Sequence, residues 1–152
     1  MISRVSSDIS NLLRFATSLE RDLTPFLTNA ARLVVIKVKR RVRSGLNAAG
    51  QRMVSGSSPK TGAYSRDYGR KRVKTGRQVA VVDLDYTSQT IESYDVIERG
   101  DNYVVGGFNN DRAGNIADYN EQMFGGAYFL SDQEVQEAEA DILNSIDGML
   151  ND

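Results

Sequence analysis

The sequence predicts an α+β fold with N-terminal helices, a long basic arm, a small antiparallel β-sheet and a C-terminal helix packed on the sheet. Three observations predict it. Apolar residues recur at helical spacing at both ends of the chain. Period-two alternation is confined to a stretch near residues 90–108. Between them, residues 48–78 replace apolar periodicity with glycine, serine and positive charge. A length of 152 residues fits a single domain. Its expected parts are a helical region over 1–47, a basic flexible arm over 48–78, and a β-rich region with the terminal helix over 79–152.

The first predicted helix carries Ile9, Leu12, Leu13, Ala16, Leu19 and Leu23 on one face, with Ser6 or Ser7 as cap. A second begins at Thr24-Pro25, with Thr24 as N-cap, Pro25 at the first helical position and an end near Arg43 or Leu46. Its stripe is Leu27, Ala30, Ala31, Val34, Val38 and Val42. The β-branched run Val34 to Val38 could read as a strand, but the length of the periodic pattern favours a helix. Gly45 and Gly50 end it. The arm that follows has too few apolar groups to offset the entropy of ordering it. Val79 to Leu84 reads as a strand, and residues 90–108 as an antiparallel hairpin turning at Glu98 to Asp101. Arg112 to Met123 is a short helix stopped by Gly125-Gly126, and Ala127 to Leu130 can add a short strand. Ser131 and Glu134 form a capping box for the last helix. That helix is expected to bury Val135, Ala138, Ile142, Ile146 and Met149 and to expose Asp132, Glu134, Glu137, Glu139 and Asp141.

Net charge is -1, yet the charges are segregated. Residues 1–80 hold 17 Lys and Arg against 4 acids, and residues 81–152 hold 2 against 16. Such a split fits a polyanionic partner, or a basic surface meeting an acidic one on another copy; the plain alternative is that the halves neutralise each other within one chain.

Catalytic chemistry is poorly supplied. There is no His and no Cys, so the common general bases, thiol nucleophiles and zinc sets are absent. Gly56 to Thr61 approximates a phosphate loop, but Pro59 takes a glycine position. Asn109, Asp111 and Gly114 match three calcium-loop positions, which Ala113 and Asn120 spoil. Asp83 and Asp85 lack the following lysine of a nuclease-type site. No catalytic residue, metal site or cofactor is therefore expected. MISRVSSDIS has no apolar core of a signal peptide, and the longest apolar run, Leu33 to Ile36, is far too short to span a membrane.

The informative segment is the arm. Lys60, Arg66, Arg70, Lys71, Arg72, Lys74 and Arg77 are interleaved with Tyr64 and Tyr68. Arginine forks suit phosphates and carboxylates alike, and tyrosines suit stacking. These nine residues are the expected contact surface, toward a polyanion or toward an acidic surface on another copy.

In order along the chain, the second half resembles the tail-completion or virion-morphogenesis proteins of long-tailed bacteriophages. The similarity covers about residues 45–150. It runs through Tyr64 to Arg70, Val82-Asp83-Leu84, Thr87 to Ser93, Val104 to Phe108, Ala113 and Ala117, and Tyr128 to Ser131. It departs from the family pattern at Ser88, Thr90, Ile91 and Ala127. The resemblance implies a non-enzymatic structural protein of the virion, made in the host cytoplasm. It would form a homo-oligomeric ring, expected to be a hexamer, at the neck, contacting connector and tail-tube proteins and non-specifically the passing genomic DNA. A small nucleic-acid-binding regulator using the arm directly is the alternative expectation.

Overall fold

The computed structural model describes residues 23–101 and 103–150. Apart from Leu23, the first predicted helix lies outside the described residues. The order is α1 (Thr24–Arg43), β1 (Lys60–Thr61), β2 (Tyr64–Ser65), α2 (Arg66–Lys74), α3 (Gln89–Glu92), β3 (Tyr94–Gly100), β4 (Tyr103–Phe108), α4 (Asp111–Phe124) and α5 (Asp132–Leu150). It is an α+β fold with two separate two-stranded antiparallel sheets.

Helix α1 is the axis of the molecule. Val34, Val35, Val38 and Val42 are buried along it, so packing overrides the β-propensity of the run. Leu23, not Thr24, occupies its N-cap, and the Thr24 hydroxyl instead donates to the Gly100 carbonyl. The β3–β4 hairpin lies on one side of α1 and α5 packs along it as well. The terminal helix, expected on the sheet, thus shares α1 with it as common support. Tyr94, Phe108 and Tyr128 close the core at ring separations of 5.0 to 5.8 Å.

The segment over 48–78 is not a coreless arm. Met53, Ala63, Tyr64 and Arg72 are buried, and Arg66–Lys74 is helical. Its few apolar groups are supplemented by backbone hydrogen bonds: Ser55 N–H to Ala63 O, and Ala63 N–H to Val79 O, each 2.8 Å. Gly62, at φ +62°, brings its backbone against the Val79 carbonyl, where a Cβ would collide.

Val79 to Leu84 is irregular, not a strand. The Gln78 side chain accepts from Val81 N–H and donates to Val81 O, replacing ladder bonds, and Leu84 adopts φ 49°. Residues Gln89–Glu92 form one helical turn, so 90–92, expected in the hairpin, lie outside it. The hairpin itself is present, but Glu98 to Gly100 extend β3, with a bulge between Val96 and Glu98. No strand forms at Ala127 to Leu130; the Ala127 and Phe129 carbonyls accept from Arg41. The capping box is formed, Ser131 N–H donating to Glu134 at 2.8 Å and Glu134 N–H to Ser131 at 3.2 Å. Glu134 is buried rather than on the exposed acidic side, because Arg41 pairs with it at 2.9 Å, and Val135 is exposed in its place.

Candidate assembly interface

Helix α2 sorts the basic residues into two classes. Gly69 faces inward, and a Cβ there would stand 2.6 and 2.7 Å from the Thr61 side chain and carbonyl. That close approach turns Tyr68 and Arg72 toward the molecule and leaves Arg66, Arg70 and Lys74, four residues apart, along the outer face.

Arg72 is 1% exposed. Its Nη2 donates to both carboxylate oxygens of Asp83, at 2.9 and 3.0 Å, and its Nε donates to Gln78 O at 2.9 Å. The guanidinium lies 4.5 Å from the Tyr64 ring centroid and about 6 Å from those of Tyr68 and Tyr86. The Tyr64 hydroxyl donates to Asp83 Oδ1 at 2.8 Å and accepts from Asp83 N–H at 3.0 Å. Burial pushes the Tyr64 phenol well above the ordinary tyrosine range, and the Asp83 carboxylate adds to the shift. This knot holds α2 and β2 to the 79–85 loop. Tyr64 and Arg72 are therefore internal and not available as contact residues, which corrects their place in the expected surface.

Four cations of α1 have acidic partners. Lys37 pairs with Glu137, Lys39 with Glu92, Arg41 with Glu134, and Arg43 with Asp85 and Glu92. Together with Arg72–Asp83, every described ion pair joins the basic half to the acidic half. Arg43 holds the Glu92 carboxyl below its ordinary range. Internal neutralisation is thus real but concentrated on α1. Lys60, Arg66, Arg70, Lys71, Lys74 and Arg77 are exposed, with no carboxylate of the described residues within ion-pair distance. Lys71 and Arg77 sit over the Tyr86 ring at 5.5 and 5.4 Å.

Beside this face lies a cleft of about 470 Å³ that the sequence reading did not anticipate. Tyr68 and Tyr86 line one wall, and Ile116, Tyr119 and Met123 of α4 line the other. Those last three are 39, 62 and 45% exposed. Their i, i+3, i+7 spacing was the available signal, but it reads equally as a core stripe.

Among the described residues no group of three or more acidic, His or Cys side chains could hold a metal, and no helix is long and apolar enough to cross a membrane. No family model, curated protein or solved structure matches this chain.

Proposed function

We propose that this protein is a structural virion protein of a tailed bacteriophage that self-assembles into a ring at the neck, completing the tail and joining it to the head connector. The observation that carries the reading is the division of charge: Lys37, Lys39, Arg41 and Arg43 of α1 and the buried Arg72 have acidic partners, while Lys60, Arg66, Arg70, Lys71, Lys74 and Arg77 have none among the described residues and lie near a cleft that exposes Ile116, Tyr119 and Met123. A basic apolar surface on a chain whose other half is acidic is suited to copies that meet one another. The virion context rests on the resemblance of its motif order to that of tail-completion proteins. In this reading the protein performs no catalysis, and neighbouring connector and tail-tube proteins are its further partners.

Electron microscopy of the purified chain tests this directly. Rings with one rotational symmetry support the reading. Single particles of monomer size that shift DNA with a steep salt dependence would favour the nucleic-acid-binding alternative.

A further inference from the structure

We propose that the outward face of the β3–β4 hairpin of one copy docks on the α2–α4 cleft of the next. The inference rests on the ring-forming reading above and names its two surfaces.

Opposed residues of a hairpin share a face. The pairs Val96–Gly106 and Tyr94–Phe108 turn toward the core: a Cβ on Gly106 would meet the Val35 side chain at 3.9 Å, and Tyr94 and Phe108 stack together. The other face therefore carries Asp95–Gly107, Glu98–Val105 and Gly100–Tyr103, with Ile97 at the bulge. Ile97 lies over Gly107 and the Tyr103 ring over Gly100, so both side chains flatten against the strands. Ile97, Tyr103 and Val105 are 47, 50 and 38% exposed. The face holds two carboxylates, Asp95 and Glu98, and no cation. Glu98 accepts from the Tyr103 hydroxyl at 2.7 Å, which fixes both side chains before any partner arrives. An apolar sheet face that carries two carboxylates and has no partner among the described residues is suited to docking.

The cleft has the complementary character. Its walls expose tyrosine, isoleucine and methionine among serine and threonine side chains, and Lys71 and Arg77 lie over the ring of Tyr86, one of its lining residues. Apolar meets apolar, and two carboxylates meet two cations that nothing else in the described chain neutralises. The two surfaces are different patches of one chain. The contact is consequently heterologous, each copy giving a hairpin and receiving one, which closes into a ring when the rotation per copy divides a full turn.

A charge-swap experiment decides it. One variant carries Asp95→Lys and Glu98→Lys; the other carries Lys71→Glu and Arg77→Glu. All four residues are exposed, and circular dichroism checks that both variants fold. Alone, each variant sets like charge against like, and its assembly constant is expected to fall by about a hundredfold or more in sedimentation velocity. Mixed in equal amounts, the acidic hairpin finds the unaltered basic cleft and the lysine hairpin finds the glutamate cleft, so assembly returns. Wild-type assembly by both variants alone, or a mixture that stays monomeric while wild type assembles, would overturn the docking but leave the ring-forming reading standing. A wild type that never assembles would overturn both.

Discussion

Arg72 concentrates the stability argument at the scale of a single residue. A buried guanidinium is costly to desolvate, and here two carboxylate contacts, a carbonyl and an aromatic face offset that cost. Removing one partner leaves the other charged and unpaired. Arg72→Met is expected to lower unfolding free energy by about 3–5 kcal/mol, read from the urea midpoint at unchanged slope. A midpoint equal to wild type would show that the pair is solvated. The tyrosines give a pH signature. Burial raises the phenols of Tyr64, Tyr94 and Tyr128. In the unfolded chain they ionise near pH 10. Their contribution is then fully present below about pH 10 and is lost as pH rises above it, because the unfolded state releases protons that the folded state retains. Melting temperature against pH should fall on the alkaline side, and less so in Tyr64→Phe. A flat alkaline limb would contradict the burial of these hydroxyls.

At the scale of elements, the terminal helix offers two measurements. Ile146 is 5% exposed and packs with Leu23, whereas Ile142 is only partly buried. Ile146→Ala should cost about 2–4 kcal/mol and Ile142→Ala less; the reverse order in thermal melts would place the wrong face inward. Ser131→Ala should cost about 1 kcal/mol through loss of the cap. These features were legible because they are local: the capping box, the hairpin alternation and the Gly125 stop each reside in a few consecutive residues. The arm was misread because its order comes from afar. Tyr64 and Arg72 gain their partner 19 and 11 residues downstream, at Asp83, and no local pattern announces that pairing. The strand expected at Val79 to Leu84 failed for a related reason: Gln78 and Asp83 take up the backbone and side-chain bonds that a neighbouring strand would have supplied. Glu134 was likewise placed on the solvent side, since helical periodicity does not see Arg41 across the interface.

For the whole molecule, segregated charge was plain in the sequence, but its division into neutralised and unpaired cations required the fold. That division dictates how to probe assembly. A reversal that included Arg72 would break the core and report on folding. Arg66→Glu, Arg70→Glu and Lys74→Glu together touch only the exposed face of α2, so stability should stay within about 0.5 kcal/mol per site of wild type. Sedimentation velocity of the wild-type chain at two protein concentrations, from low to high salt, is the most direct measurement of the central claim. The expected result is one closed multiple of 16.8 kDa at low salt that does not grow with concentration and shifts toward 16.8 kDa as salt screens the contact. A 16.8 kDa species under every condition would contradict it.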